Sequence, residues 1–533
     1  MISKQKDTTQ NYVNRRTFIK QGFSILGVAS LTPSFSYTIV NHLSSPAPNV
    51  SDFTFSSAFD AANAIRKGLF SSVELTKHIL ARIEKYNPTL NAIVTLLEEE
   101  AIDKARAADK MLAEGKTLGQ LHGVPITIKD AFGIKGVKTT AGAPFLSNHL
   151  PKEDAIVVSR LRKAGAIILG HTNVPFLLGD FQSFNEIFGR TNNPWNLERT
   201  PGGSTGGGAA ALAAGLSYLS LGSDIGGSIR VPAHFCGVYG HKPTLNVVPL
   251  RGHIPPVPGT PPQPPPYLPV AGPLARSAID LKMVLEIVGG TDVENAIAYR
   301  WTLPPARKKR LSDYRIGYIL DDPNCPVSSD VKEVLHATIE RLHKAGLTLE
   351  EGWPEGVDPK KQYHAYLFLL NSVFAFDLKD DKVEEMREQA KNQDGSTAAI
   401  RALAWTAPHK YFQAANSDRM TARAIWRRYF QTHDVFLLPT AFVSAFPHDP
   451  KPWSERILQT PEGSRKYDDM LFWISFATLT GNPATTAPIG ITREGLPVGI
   501  QILGPYLEDA TPIDVAGKMA EVTGGFKTPE GYQ

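Results

Sequence analysis

The chain has 533 residues, of which 42% are hydrophobic and 20% are charged, so it is long enough for a large core and has an ordinary globular composition. Its net charge is only +4, and residues 1–43 carry that excess, so the charge gives no indication of the concentrated basic face that a nucleic-acid-binding protein needs. The two cysteines, Cys236 and Cys325, are too few for a disulfide framework or a cysteine zinc site. The sequence also contains neither an H-E-x-x-H metalloprotease pattern nor a phosphate-binding P-loop.

The first 43 residues have the pattern of an export leader. Paired arginines, Arg15 and Arg16, stand in "NRRTFIK" ahead of the apolar stretch "GFSILGVASLTPSF". This resembles a twin-arginine signal, and the apolar run is too short for a permanent membrane span. We therefore expect a bacterial protein with a leader over 1–43 and a linker over 44–54, exported by the twin-arginine machinery to the periplasm or beyond. No clear A-x-A cleavage site follows, so an uncut leader acting as a membrane tether stays open, as does a disordered basic tail.

The segment from residue 71 to residue 224 predicts alternating helices and strands. An amphipathic helix begins with a capping box, Ser71 with Glu74, and should stop before Pro88. A second helix is expected over residues 98–114. Further helices are predicted over 154–165 and 209–215, and strands over 123–130, 166–170 and 218–224. Strands that alternate with helices indicate an α/β layer fold.

The second half of the chain is less regular. Residues 254–269 are so rich in proline that they predict an extended surface loop. Residues 310–435 have a mostly helical pattern and suggest a cap or insertion. Strand character returns over 434–440 and 496–504.

Two serines match nucleophile patterns that their contexts do not support. Ser204 in "GGSTG" fits the G-x-S-x-G elbow of α/β-hydrolases, but a polar, loop-like segment precedes it where that motif needs a strand. Ser329 forms S-x-x-K with Lys332 at the start of a charged helix, where a helix cap explains it better.

Ser228 follows the glycine pair of "GSDIGGSIR". Glycine is costly to order, so the pair indicates either a sharp turn or N–H groups that must approach an oxyanion closely. His234 and His241 lie nearby in sequence as possible bases, but neither has an obvious orienting acid. A histidine in the core or at the surface is the more ordinary interpretation of both.

Lys129 offers another base, because it ends the apolar run of "PITIKD". A lysine amine that is buried away from water loses its charge readily and can accept a proton. The alternative is a lysine that leaves the strand end into solvent and pairs with Asp130. The residues alone favour this alternative slightly.

Several motifs in combination change that balance. "GVPITIKD", "TPGGSTGGGAAALAAG", "GSDIGGSIRVPAHFCGVYGHKPT" and "LTGNPATTAPIG…GLPVGIQILGP" occur in this order. Together they resemble the amidase signature family from about residue 55 to 520. The resemblance implies one α/β domain, here 55–525, with a mixed, twisted central sheet flanked by helices. It also implies a Ser–cis-Ser–Lys triad that hydrolyses amides and, in some members, esters, without a metal or cofactor.

The family motifs carry the roles over residue by residue. Ser228 is then the nucleophile, Ser204 the bridging serine and Lys129 the base. The resemblance also implies an oxyanion hole and an acyl-pocket residue. These are the N–H groups of Ile225, Gly226, Gly227 and Ser228, and the side chain of Leu178.

Four further residues can be interpreted around this motif. Thr205 stands where many members have a second serine and keeps the hydroxyl, so we expect little effect. His241 replaces a common apolar residue. Asp224 and Arg230 flank the nucleophile, and we expect them to act as scaffolding.

The resemblance predicts an exported amidohydrolase that cleaves a small carboxylic amide through an acyl-enzyme. One alternative is the glutamine amidase subunit of a transamidosome, against which the leader argues. Another is an inactive family member that acts as a binding protein, against which the intact Lys129, Ser204 and Ser228 argue. The expected partners are a small-molecule amide and the export machinery, and a homodimer stays open. The sequence does not indicate which amide is cleaved.

Overall fold

The computed structural model describes residues 49–255, 267–375, 380–392 and 395–533. The predicted leader, residues 44–48 of the linker and the centre of the proline-rich loop lie outside the described residues. Within these ranges, no helix combines the length and apolar character that a membrane crossing requires.

The described chain folds into α-helices and β-strands that we number in chain order. The helices are α1 Ala58–Arg66, α2 Ser72–Leu90, α3 Glu98–Ala113, α4 Ile156–Lys163, α5 Gly206–Ala213, α6 Arg230–Cys236, α7 Ala278–Val288, α8 Ser329–Lys344, α9 Pro359–Val373, α10 Asp380–Ala390, α11 Thr397–Thr406, α12 His409–Tyr429, α13 Phe472–Thr480 and α14 Ala510–Thr523. The strands are β1 Ile93–Leu96, β2 Pro125–Lys129, β3 Ile167–Thr172, β4 Phe184–Asn185, β5 Gly189–Arg190, β6 Leu219–Asp224, β7 Tyr239–Lys242, β8 Val270–Ala275, β9 Ile316–Tyr318, β10 Leu349–Glu351, β11 Val435–Pro439, β12 Ile457–Thr460, β13 Gly463–Lys466, β14 Ala484–Ile491 and β15 Pro497–Leu503.

Eleven strands form one mixed sheet in the order β1-β3-β2-β6-β8-β7-β14-β15-β11-β9-β10. Strand β2 is parallel to both β3 and β6, whereas the central strands from β6 to β15 pair antiparallel. Helices pack on the sheet, among them α6 on β15 and α14 on β14. The predicted α/β fold with a mixed central sheet flanked by helices is therefore confirmed.

The predicted elements between residues 71 and 224 are all present. The capping box of Ser71 and Glu74 forms as expected at the start of α2. The expected end of this helix was wrong, because Pro88 lies inside α2, which runs on to Leu90. Proline is tolerated there because its fixed φ is helical and only one backbone hydrogen bond is lost near the end. Asn91, in a left-handed conformation, ends the helix.

The region 310–435 contains the predicted helices, α8 to α12, and also two short strands. Strand β9 pairs in parallel with β10 and with β11, so both strands extend the central sheet. Three-residue strands carry too little alternation to be recognised in a sequence. This region therefore contributes to the sheet as well as covering it.

Candidate active site

The sheet topology brings the end of β2 next to the end of β6. Thr127 and Ile128 pair in parallel with Ser220 and Leu221, so both strands end at the same edge. All five residues of β2 are buried, and Lys129, its last residue, has no solvent-exposed surface. The amine of Lys129 donates to the hydroxyl of Ser223 on β6 at 3.0 Å.

Ser204 reaches the same amine from the loop before α5. Nζ of Lys129 lies 2.7 Å from Oγ of Ser204. The peptide between Gly203 and Ser204 is cis, as the resemblance implied. A Cβ on Gly203 would lie 2.3 Å from the Asp180 carbonyl oxygen, so only glycine fits ahead of this serine.

The electrostatic setting of Lys129 favours a neutral amine. Burial lowers the pKa of Lys129 to about 7, although the nearby Asp224 carboxylate opposes the shift. The proposed pairing of Lys129 with Asp130 was wrong. Asp130 instead accepts hydrogen bonds from the backbone N–H and the hydroxyl of Thr140.

Ser228 lies in the turn between β6 and α6 and is 7% exposed. The N–H of Thr205 donates to the carbonyl of Ser228 at 3.2 Å, which ties the two serine-bearing loops together. The hydroxyl of Thr205 is kept and faces the Ser223 carbonyl at 3.5 Å. In this conformation of the described residues, no hydrogen bond joins the hydroxyls of Ser204 and Ser228.

The glycine pair before Ser228 divides into two roles. Gly227 has a φ of +92°, which a side chain would strain, and its N–H donates to Oδ1 of Asp224 at 3.0 Å. This amide is therefore already partnered in this structure. Within the described chain, the N–H groups of Ile225, Gly226 and Ser228 have no such partner. They are the amides of the predicted oxyanion hole that stay free to bind a ligand.

The expected scaffolding role of Asp224 and Arg230 is confirmed by an ion pair at 2.7 Å between fully buried side chains. Burial raises the pKa of Asp224, but the charge and hydrogen bonds of Arg230 outweigh it and lower that pKa to about 2. Arg230 also donates to the carbonyl of Ile474 and to the side chains of Thr478 and Gln501. The turn that carries Ser228 is thus anchored to α13 and β15.

Helix α9 supplies a contact that sequence reasoning missed. The hydroxyl of the fully buried Tyr366 donates to the carbonyl of Ile225 at 3.0 Å. The Ile225 carbonyl and the Gly226 N–H belong to one planar peptide and point in opposite directions. By holding the carbonyl, Tyr366 therefore sets the direction of the Gly226 amide.

The two histidines near Ser228 in sequence are fully engaged elsewhere. The ring nitrogens of His234 bond the backbone of Gly499 and of Val443, so this is a core histidine. His241 bonds Asp509 at 3.1 Å and Thr485 at 2.9 Å. No acid partner of His241 was obvious in the sequence, because Asp509 is 268 residues away, and His241 is a buried core histidine. Neither ring bonds the hydroxyl of Ser228.

The two remaining candidates are Leu178 and Ser329. Leu178 has a φ of +62° and packs beside the small cluster of Ala141, Ala143 and Leu146. The expected capping role of Ser329 was wrong, because Ser328 is the N-cap of α8. Among the described residues, no group of three or more His, Cys, Asp or Glu side chains is placed to hold a metal ion.

The family model for amidases matches residues 74–512 of the chain. This chain belongs to the amidase signature family. It is 32% identical over 474 residues to a glutamyl-tRNA(Gln) amidotransferase subunit of Thermosynechococcus vestitus, covering 85% of this chain and 95% of that one. The corresponding protein of Bdellovibrio bacteriovorus is 30% identical over 496 residues, with 87% and 96% covered. Enzymes of the amidase signature family hydrolyse carbon–nitrogen bonds.

Solved structures share the fold of this amidase signature hydrolase. A vestigial protein complex linked to the origins of an s-triazine catabolic enzyme contains a chain that matches with a TM-score of 0.74 and 26% identity, over 89% of this chain and 99% of that one. A bacterial aryl acylamidase of the same family matches with a TM-score of 0.72 over 88% and 96% of the two chains. At 23% identity, this second likeness concerns the fold alone.

Proposed function

We propose that the protein is an amidohydrolase that cleaves the carbon–nitrogen bond of a small carboxylic amide through an acyl-enzyme on Ser228. The observation that carries the proposal is the buried Lys129 amine 2.7 Å from the Ser204 hydroxyl. A lysine with a pKa of about 7 is half neutral near physiological pH and can act as a general base. The tie between Thr205 and Ser228 keeps the nucleophile close to this pair.

The proposed reaction begins with a proton relay. Neutral Lys129 takes the hydroxyl proton of Ser204, which takes that of Ser228 as Oγ of Ser228 attacks the amide carbonyl. The resulting oxyanion accepts hydrogen bonds from the free amides at Ile225, Gly226 and Ser228. The relay then returns the proton to the leaving amine, and water hydrolyses the ester on Ser228. A Ser204–Ser228 hydrogen bond is required during the attack, and such bonds often shorten only when substrate binds.

A fluorophosphonate probe tests the nucleophile directly. We expect the wild-type protein to be labelled on Ser228, since the probe reacts only with an activated hydroxyl. Ser228→Ala should abolish labelling, whereas Ser329→Ala, the matched control, should leave it unchanged. Labelling of the Ser228→Ala protein at the wild-type rate would show that another residue is the nucleophile.

A second candidate function follows from the curated relatives, which are named as subunits of glutamyl-tRNA(Gln) amidotransferases. The chain would then release ammonia from glutamine for a partner protein. The two functions separate in a substrate screen on the purified protein. Turnover of simple aliphatic or aryl amides without a partner protein supports the amidohydrolase. If glutamine is the only substrate and its turnover requires a partner protein, the result supports the amidotransferase role.

We also propose that the leader directs export through the twin-arginine pathway. Support comes from Arg15 and Arg16 and the apolar stretch that follows. Replacement of both arginines by lysine should retain the protein in the cytoplasm of a bacterial host, as measured by fractionation and probe labelling. Equal export of the variant would contradict this localisation.

A further inference from the structure

Helix α12 carries two arginines on successive turns, Arg419 and Arg423. Residues four apart on a helix lie on the same face, so their charges are neighbours. Arg419 is only 7% exposed. Nε of Arg419 and Nη2 of Arg423 are buried without a hydrogen-bond partner.

No carboxylate within the described residues pairs with either arginine. The adjacent acid, Asp418, instead lies 3.0 Å from Lys361. Burial lowers the pKa of Arg419, and the charge of Arg423 lowers it further. A buried charge beside a half-buried like charge, without a counter-charge, is unfavourable.

A second buried basic side chain, Lys242, lies close enough to Arg419 for the two charges to interact. Lys242 is 1% exposed at the end of β7, and its amine donates to the Pro243 carbonyl at 2.9 Å. Burial and the nearby Arg230 lower the pKa of Lys242 to about 7, and Arg419 contributes to the shift, while Asp224 and Asp509 oppose it. Both of these acids are engaged elsewhere, Asp224 with Arg230 and Asp509 with His241.

An aromatic ring orients one arginine of the pair. The guanidinium of Arg423 stacks on the ring of Tyr506, with its carbon 3.7 Å from the ring centroid. Stacking fixes the plane of the guanidinium, which leaves its N–H fork free to bind two oxygens of one group side by side. Carboxylates and phosphates match that fork.

We propose that Arg419 and Arg423 together bind an oxyanion, a carboxylate or a phosphate, in the helical layer of the protein. Helix α12 packs on α9 and α13, whose Tyr366 and Ile474 bond the turn that carries Ser228. The bound group is therefore one helix away from the catalytic turn. It belongs either to the substrate or to a free anion.

Isothermal titration of the full chain with inorganic phosphate, and separately with acetate, at constant ionic strength in chloride tests the site without requiring catalysis. We expect saturable binding that Arg423→Gln weakens at least tenfold. Arg427→Gln, an exposed arginine on the same helix, should leave the dissociation constant within twofold. Absence of saturable binding to wild type, or equal binding to all three proteins, overturns the proposal.

Thermal unfolding separates a binding role from a structural one. Without phosphate or acetate, Arg423→Gln should unfold at the wild-type temperature or above, because it removes a like charge from Arg419. Addition of phosphate should raise the unfolding temperature of the wild-type protein more than that of the variant. If the variant is equally destabilised in both conditions, Arg423 is only a structural partner of Tyr506 and the proposal fails.

Kinetics then identify the source of the anion. The monoamide of a dicarboxylic acid is compared with a neutral amide of equal length in wild type and in Arg423→Gln. A preference for the acidic amide that the variant loses at least tenfold supports an anionic substrate. An unchanged preference, with phosphate binding lost, supports a free anion at the same site. If the protein hydrolyses neither amide, the titration and the thermal unfolding decide whether the anion site exists, because neither measurement requires catalysis.

Discussion

At the scale of single residues, the pKa of Lys129 controls the proposed chemistry. Burial lowers this pKa to about 7, and only the neutral amine can accept a proton from Ser204. We therefore expect kcat/KM to rise with pH and to level off above about pH 7. Initial rates between pH 5 and 9 measure this profile. A rate that is flat through this range would contradict Lys129 as the base.

The burial of Lys129 should also lower the stability of the protein near neutral pH. The unfolded pKa of lysine is 10.5, so between pH 10.5 and about 7 the unfolded chain binds a proton that the folded chain does not. Burial of Lys129 therefore leaves the free energy of unfolding unaffected above pH 10.5 and lowers it progressively as the pH falls toward 7. Lys129→Met should therefore be inactive yet more stable than wild type at pH 7, with the difference shrinking toward pH 10.5. Urea unfolding at the two pH values measures the difference, and a Lys129→Met protein that is less stable at pH 7 contradicts this expectation.

The family resemblance, and not residue identity alone, named the members of the candidate site, and neither indicated their contacts. The motifs around Lys129, Ser204 and Ser228 were recognisable because each is a short continuous stretch of sequence. The partners Tyr366 and Asp509 were not, since each lies more than 130 residues from the residue that it bonds. The engagement of the Gly227 amide by Asp224 also depends on the turn geometry, which a pair of glycines does not specify.

At the scale of elements, one hydroxyl of α9 contacts the turn that carries Ser228. Tyr366→Phe removes the hydrogen bond to the Ile225 carbonyl while keeping the buried ring. The Gly226 amide is then less firmly aimed, so kcat should fall about tenfold with KM nearly unchanged, less than the 100- to 1000-fold typical of a lost oxyanion donor. Steady-state kinetics with one amide measures this split.

A matched control lies three residues earlier on the same helix. The hydroxyl of Tyr363 donates to the carbonyl of Asp468, away from the catalytic turn. Tyr363→Phe should leave kcat within twofold, and affinity for a boronic acid transition-state analogue should fall only in Tyr366→Phe. Equal effects of the two substitutions on that affinity would show that α9 acts through general packing.

The elements themselves were predictable where their hydrophobic pattern is long. Helix α2 and strands β2, β3, β6, β11 and β15 appear close to their expected bounds. Strands β9 and β10 were missed because three residues show no readable period, and Pro88 suggested a helix end that tertiary packing overrides. Strand order was not predictable from the residues, since pairs such as β11 with β9 join segments more than 115 residues apart.

At the scale of the whole molecule, buried arginines join segments that are distant in sequence. Arg276, at 4% exposure, donates to the carbonyls of Leu212 and Ser217 and to those of Thr54 and Ser56. Arg276 thereby connects the first described segment, residues 49–57 before α1, to the end of α5 and to the sheet. Among the residues that the structure describes, no carboxylate is bonded to Arg276, and carbonyl dipoles stabilise its charge.

Arg276→Met tests this connection with a side chain of similar length. The substitution removes the guanidinium from four carbonyls, of which that of Leu212 keeps the N–H of Gly215 as a donor. An orphaned buried acceptor costs about 1–3 kcal/mol before relaxation. We expect the free energy of unfolding to fall by about 3 kcal/mol, measured in urea, with fluorophosphonate labelling of the folded protein retained because Arg276 does not contact the catalytic turn. Arg427→Met, at an exposed position, should change stability by less than about 0.5 kcal/mol. Equal stability of the two variants would show that water replaces the guanidinium without cost, and that the first described segment is held by its apolar contacts instead.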